Sequence, residues 1–156
     1  MNGTLQALDF GTVDGSLVWD GVVATLLYFL VGAIVLVAGF LALDAITPGN
    51  LRHQVFVDRN PNAAILLGAN HLALAVIVTT AILSSDYEAG LGQGLVDSLV
   101  FGVVGVVLQA LALLLLNAVV PTNLRELVGQ AGMSGAAWAT GISLFAVGLV
   151  NAAALS

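Results

Sequence analysis

The residues best suited to chemistry in this chain are a few polar side chains that lie within long apolar segments. His71 is the only ionisable side chain deep inside such a segment, roughly 15 Å along a helix from Asn60 at about 1.5 Å per residue. An ionisable group at that depth in a membrane is by default a functional hypothesis, here proton or ion handling. The alternative is a neutral imidazole that is hydrogen-bonded across a helix bundle or faces a subunit interface.

Amide side chains form the second group. An unpaired amide in hydrocarbon costs about 2 to 7 kcal/mol, so Gln109 and Asn151 need partners. Two interpretations remain open: hydrogen bonds between helices, or the lining of a polar route through the membrane. The candidate intramembrane polar residues are Asn70, His71, Gln109, Thr140, Ser143 and Asn151.

Catalytic and metal-binding patterns are absent from the sequence. It has no cysteine and only two histidines, and no nucleophile is paired with a base. No pair of carboxylates stands at helical spacing within an apolar segment. We therefore expect a protein that is not an enzyme and has no metal ion or cofactor.

The elements that position these side chains are membrane helices. The chain is 60% hydrophobic and 8% charged, with a mean hydropathy of +1.08, whereas a soluble domain carries about 25% charged residues. Four apolar stretches are each long enough to cross about 30 Å of hydrocarbon. The sequence therefore predicts an all-α fold, an integral membrane four-helix bundle in contact with the lipid bilayer. The four stretches are Gly21 to Leu43, Asn60 to Ser85, Ser98 to Leu124 and Leu127 to Ser156.

The four helices form two copies of one unit. Thr47-Pro48-Gly49-Asn50-Leu51-Arg52 and Val120-Pro121-Thr122-Asn123-Leu124-Arg125 are separated by 73 residues, and Gly32 falls on Gly105 at the same offset. His71 falls on Leu144, so the repeat contains no pair of histidines. Each copy crosses twice, which predicts parallel hairpins. We expect an outside N-terminal segment (1–18), repeat 1 (19–83, helices about 19–46 and 61–84), an outer loop (84–94) and repeat 2 (95–156, helices about 95–119 and 133–155).

Three arginines indicate the topology. Arg52, Arg59 and Arg125 are the only fixed cations, and all lie in the links between paired helices. The positive-inside rule places links 47–60 and 120–132 in the cytoplasm of a prokaryotic plasma or inner membrane, with both termini outside. Asp44 is a candidate interfacial partner of Arg52 or Arg125. A net charge of −6 without lysine argues against nucleic acid as a partner.

Small residues and caps complete the pattern. Small side chains at helical spacing allow membrane helices to approach closely. Asn60 followed by Pro61 predicts the N-cap and first residue of a helix. The predicted packing residues are Ala64, Gly68, Gly105, Ala137, Gly141 and Gly148.

Several of these features together resemble a known family. Ile46-Thr47-Pro48, Asn60 followed by Ala63-Ala64, Gln109 with Pro121, and Asn151-Ala152-Ala153 are similar to the YjfL-like inner-membrane proteins, the family labelled domain of unknown function 350. The resemblance implies two duplicated helix hairpins and an association with membrane stress or envelope maintenance, without an assigned activity. This chain departs from the pattern at Met133, where the second repeat would carry an asparagine like Asn60; Ser134 could replace a cap there.

Two functions follow as hypotheses. The first is a non-enzymatic integral membrane subunit that forms a homo-oligomer or assembles with other membrane proteins, as an accessory component of a membrane complex. The alternative is a small channel or transporter whose polar route is lined by the intramembrane residues of the second, third and fourth long helices. The direction in which those side chains point distinguishes the two.

Overall fold

A computed structural model describes residues 14–46, 51–85, 89–119, 124–130 and 132–156. The described residues form six helices: α1 (Gly15–Ile46), α2 (Leu51–Phe56), α3 (Pro61–Leu83), α4 (Leu91–Val119), α5 (Leu124–Gly129) and α6 (Gly135–Leu155). The four long helices are long and apolar enough to cross a membrane, and they pack as a bundle. The prediction of an all-α four-helix bundle is confirmed. The short helices α2 and α5, which the sequence analysis did not predict, lie in the two links.

Local hydrogen bonds explain where the helices begin. Asn60 is the N-cap of α3, and its Oδ1 accepts from the backbone N–H groups of Asn62 (2.9 Å) and Ala63 (3.1 Å). Pro61 follows at the first helical position, where a missing N–H costs nothing. Ser134 caps α6 in the same way by accepting from the N–H of Ala136 at 3.2 Å. A serine thus fulfils in the second repeat the capping role of the asparagine in the first.

The N-terminal ends of α1 and α4 extend further than expected. Helix α1 begins at Gly15 rather than near 19, directly after Asp14. The carboxylate of Asp14 accepts hydrogen bonds from the backbone N–H and the hydroxyl of Ser16, and these bonds lower the pKa of Asp14. Helix α4 begins at Leu91 rather than near 95, because Gly90 turns the chain at a φ of 102° and the N–H of Gly94 already bonds the Gly90 carbonyl.

Both links lie at one end of the bundle. The side chain of Asn62, in the first turn of α3, bonds the Gly132 carbonyl and the backbone N–H of Ser134, just before α6. Helices α3 and α6 therefore start side by side and run in the same direction. They also form the most extensive helix contact of the bundle.

The two repeats do not pack symmetrically. Helix α4 contacts α1, α3 and α6, whereas α1 contacts α3 and α4 and has at most a marginal contact with α6 among the described residues. The 73-residue offset maps the α3–α4 pair onto α6 and α1, so a true twofold axis would make these two contacts equal. Helices α3 and α4 therefore pack against each other across the bundle, whereas the equivalent helices α6 and α1 barely touch. The core accordingly lies around α3, with Leu74, Ile77 and Leu144 almost fully buried.

Candidate functional site

Two amides join α4 to α6 in the middle of the bundle. Gln109 is 2% exposed, and its Nε2 donates to the Leu144 carbonyl at 3.1 Å. Asn151 Nδ2 donates to the Gly105 carbonyl at 2.9 Å. Each helix thus sends one amide to the backbone of the other. Glycine at 105 lets α4 pack closely against both neighbours, because a Cβ there would collide with Ile77 of α3 and lie 3.2 Å from the Leu155 side chain of α6. The arrangement binds helices together in hydrocarbon, where interhelical hydrogen bonds hold a bundle.

A small void lies beside this pair. Gln109 Nε2 also approaches Asn70 Oδ1 at 3.5 Å, and both side chains line a cavity of about 10 Å³ together with residues of α1. That volume is close to the minimum of about 10 to 15 Å³ that one water molecule needs. The Oε1 atom of Gln109 and the Oδ1 atom of Asn151 are buried without a hydrogen-bond partner among the described residues. The interior is therefore polar at separate points, and the void beside Gln109 has room for no more than about one water molecule.

Asn62 is a connecting residue that the sequence analysis did not identify. It is 0% exposed. Its Nδ2 lies 2.9 Å from the Gly132 carbonyl, 3.2 Å from that of Leu127 and 3.4 Å from that of Gln130, and its Oδ1 accepts from Ser134 N–H at 2.8 Å. Asn60 Nδ2 also donates to the Val128 carbonyl. The start of α3 therefore holds the second link in place. The available signal in the sequence was an asparagine in the first turn of the helix, where the second repeat has Gly135.

His71 lies apart from these amides. It is half-buried, and its Nδ1 lies 2.9 Å from the Leu67 carbonyl of its own helix. Its ring is 5.2 Å from that of Phe40 on α1, between ring centroids. Both residues line an outward-facing groove of about 340 Å³, whose other walls are Leu36, Val37, Phe56 and Leu67. His71 thus faces a surface between α1, α2 and α3 and not the interior void.

An ion pair between Arg52 of the first link and Asp44 of α1 lies beside Phe40, which lines that groove. The guanidinium of Arg52 is 5.4 Å from the centre of the Phe40 ring and 3.4 Å from a carboxylate oxygen of Asp44. The Arg52 side chain is 52% exposed, so the pair is an interfacial contact that contributes little to stability. The side chain of Arg125 lies outside the described part of the chain.

The predicted packing residues fall into two groups. Gly105, Ala137, Gly141 and Gly148 are buried between helices, and a Cβ on Gly148 would lie 3.0 Å from the Cα of Ala73 and closer still to its Cβ. Ala64 and Gly68 lie on an exposed face of α3, and a Cβ on Gly68 would meet nothing within 4 Å. Ala64 and Gly68 do not pack tightly between helices of this chain, so a packing role for them requires a contact with another chain.

The six predicted intramembrane polar residues do not share one cavity. Asn70 and Gln109 line the interior void, while His71 faces the outer groove. Ser143 donates back to the Ala139 carbonyl of its own helix, and Thr140 and Asn151 are buried on α6. No three histidine, aspartate or glutamate side chains of the described residues form a possible metal-ligand set.

Comparison with known proteins places the chain in a family. The model of the Domain of Unknown Function (DUF350) matches residues 16–155. A UPF0719 transmembrane protein of Mycolicibacterium paratuberculosis is 46% identical over 150 residues, which cover 96% of this chain and 98% of that protein. UPF0719 transmembrane proteins of Mycobacterium bovis and Mycobacterium tuberculosis are each 48% identical over 149 residues, covering 96% of this chain and 97% of theirs. No solved structure matches significantly. With four candidate spans and relatives of this kind, the chain is a multi-pass transmembrane protein that belongs to the DUF350 family.

Proposed function

We propose that this protein is a non-enzymatic integral membrane subunit that works by assembling with copies of itself or with other membrane proteins. The observation that carries the proposal is the use of the interior amides. Gln109 and Asn151 each bond a backbone carbonyl of the facing helix, and the void beside Gln109 holds only about 10 Å³. Side chains committed to helix contacts around a closed interior are suited to a rigid scaffold.

The alternative of a channel or transporter within one chain has less support. A polar route requires side chains that converge on a continuous water-accessible path. Here His71 faces the outer groove, and Ser143 is bonded to its own helix. Leu74, which lines the interior void, and Leu144 of α6 are apolar and almost fully buried. The favoured function is therefore that of a structural subunit.

The surface that we assign to assembly lies on α3 and α6. Ala64 and Gly68 are exposed on α3 and border an apolar groove of about 310 Å³, which is also lined by Trp138 and Ile142 of α6. Small exposed residues let the backbone of a second membrane helix approach closely, so that dispersion contacts replace lipid. A partner helix that packs there gives Ala64 and Gly68 the contact that they lack within one chain.

The proposal includes location and context. With Arg52 and Arg59 in the first link and Arg125 in the second, both links face the cytoplasm of a prokaryotic plasma or inner membrane, and the termini lie outside. A contribution to envelope maintenance under membrane stress accords with the resemblance of the chain to its family.

Native mass spectrometry and cross-linking in mild detergent test the assembly. We expect the purified chain to form an oligomer, or to retain a membrane partner, and Gly68→Leu to dissociate it. The monomer tolerates this change because a Cβ on Gly68 meets nothing within 4 Å. Gly92→Leu is the matched control, since Gly92 is equally open but lies in the first turn of α4. A wild-type monomer without a co-purifying partner contradicts the proposal, and an oligomer that survives Gly68→Leu contradicts the assigned surface.

A further inference from the structure

The groove beside His71 lies in the first repeat at positions that are covered by a packed helix in the second repeat. Four of its residues, Leu36, Phe40, Leu67 and His71, correspond at the 73-residue offset to positions in the second repeat that are all buried. Helix α3 covers these positions. Its Leu67 packs in one cluster with Leu113 and Leu144, the counterparts of Phe40 and His71. Its Asn70 approaches Gln109, the counterpart of Leu36, at 3.5 Å. In the first repeat the covering helix would be α6, which barely contacts α1. The four counterparts are Gln109, Leu113, Thr140 and Leu144.

A polar acceptor stands in this open surface. Nδ1 of His71 lies 2.9 Å from the Leu67 carbonyl, and a carbonyl only accepts, so Nδ1 carries the proton. In the neutral imidazole this leaves Nε2 as an acceptor. The second repeat has the apolar Leu144 at this position, 0% exposed under the covering helix. A surface built to receive only an apolar helix would not present an acceptor here.

Aromatic side chains form the remaining walls. Phe40 is held from one side by the guanidinium of Arg52 at 5.4 Å and lies 5.2 Å from the His71 ring. Phe56, on the short helix α2, lines the groove from the link. Aromatic rings prefer stacked or edge-to-face neighbours. The volume of about 340 Å³ lies near the lower end of the about 300 to 1,000 Å³ typical of small-molecule sites.

We propose that this groove binds a lipid-soluble quinol, with its ring between Phe40 and Phe56 and one hydroxyl donating to Nε2 of His71. The quinol head group supplies the hydrogen-bond donor that the acceptor requires and a flat ring for the aromatic walls. Its isoprenoid or alkyl tail leaves through the open side of the groove into the bilayer. The proposal concerns binding, and no redox step is assigned to the protein.

The first test uses the protein labelled with ¹⁵N-histidine in phosphatidylcholine nanodiscs under anaerobic conditions. Titration with tetramethylhydroquinone should shift the Nε2 resonance of His71 to saturation and leave that of His53, in α2, unchanged. The dimethyl ether of the same quinol cannot donate and should bind about tenfold more weakly, the effect of one hydrogen bond. Equal binding of quinol and ether, or a shift that does not saturate, overturns the proposal.

Variants separate the site from other causes. Val37→Trp adds bulk at an exposed wall of the groove and should abolish the His71 shift. His71→Leu, the residue of the second repeat, should abolish the rise in thermal stability that quinol produces by binding the folded state. Leu72→Ala, on an exposed neighbouring position of α3, is the control and should retain both responses. If cross-links from residue 37 reach a second copy and quinol produces no shift, the groove is a protein interface and the proposal is wrong.

Discussion

Replacing Asn62 by alanine is the most direct test of how the two repeats are held together. The Asn62 side chain is fully buried and joins the first turn of α3 to the link before α6. Its two N–H groups can serve two of the three nearby carbonyls at once, of which Gly132 and Leu127 are the nearest at 2.9 and 3.2 Å. Its Oδ1 accepts from Ser134 N–H at 2.8 Å.

The magnitude follows from these three bonds. A hydrogen bond contributes about 0.5 to 1.5 kcal/mol net, and a buried group left unpaired costs about 1 to 3 kcal/mol. In Asn62→Ala the backbone N–H of Ser134 loses its side-chain partner. Alanine regains a few tenths of a kcal/mol through its higher helix propensity. We expect the free energy of unfolding to fall by about 3 kcal/mol.

Reversible unfolding in mixed micelles of a mild detergent and dodecyl sulfate measures this free energy. Hydrogen exchange locates the effect: the Ser134 amide should exchange at least about tenfold faster, while amides in the middle of α4 keep their protection. Gln93→Ala is the control, because Gln93 is exposed and its side chain bonds Asp97 alone among the residues that the structure describes. It should change stability by less than about 0.5 kcal/mol. A loss below 0.5 kcal/mol for Asn62→Ala would refute the assignment of Asn62 as the connection between repeats.

Three further predictions use the same unfolding assay or simple labelling. Gly148→Ala should destabilise the bundle by about 1 to 3 kcal/mol, because the new Cβ meets the Cα and Cβ of Ala73 and overpacks the contact between α3 and α6. Gly92→Ala, where a Cβ meets nothing within 4 Å, should be neutral or stabilising, and equal effects would contradict the packing. Gln109→Leu should cost no more than about 2 kcal/mol, since interhelical bonds in membranes average about 0.6 kcal/mol; a loss above 4 kcal/mol would show that Gln109 does more than join helices. The natural chain has no cysteine, so single cysteines at positions 52 and 125 report topology, and both should react only with a reagent applied from the cytoplasmic side; labelling from opposite sides would exclude parallel repeats.

The number of long helices and several of their ends follow from the sequence. Apolar length alone identifies four spans, and the pair Asn60-Pro61 marks the start of α3. The outer turn was harder to predict, because Gly92 and Gly94 suggest a loop but lie within α4. In a membrane helix glycine is frequent, so it does not indicate a turn as strongly as in a soluble protein.

The buried face of each helix does not follow from the sequence. These helices are apolar all round, so hydropathy does not separate the core side from the lipid side. The repeat pattern suggested Ala64 and Gly68 as packing residues, whereas the buried alanine at the start of α3 is Ala63, at 0% exposure. At the start of α6 the buried alanine is Ala137, the counterpart of Ala64. Equivalent positions therefore face different surroundings, and only the packed structure distinguishes them.

The role of Asn62 was hidden for a related reason. Its partners are backbone groups 65 to 72 residues away, in a link whose side chains give no sign of the contact. Gln109 and Asn151 could be identified as amides that need partners, because an unpaired amide is costly in lipid. That cost does not reveal which carbonyl each amide finds. The structure places these partners at Leu144 and Gly105.

The two repeats differ at two of the amide residues that connect helices and links. Asn62 occurs in the first repeat, where the second has Gly135, and Gln109 occurs in the second, where the first has Leu36. Asn62, on α3, bonds the Gly132 carbonyl in the link before α6. Gln109, on α4, bonds the Leu144 carbonyl and so joins α4 to α6, and its 3.5 Å approach to Asn70 links α4 with α3. Helix α1 contains no asparagine or glutamine that could bond α6. With α6 barely in contact with α1, His71 lies half-buried on a surface whose counterpart in the second repeat, at Leu144, is buried.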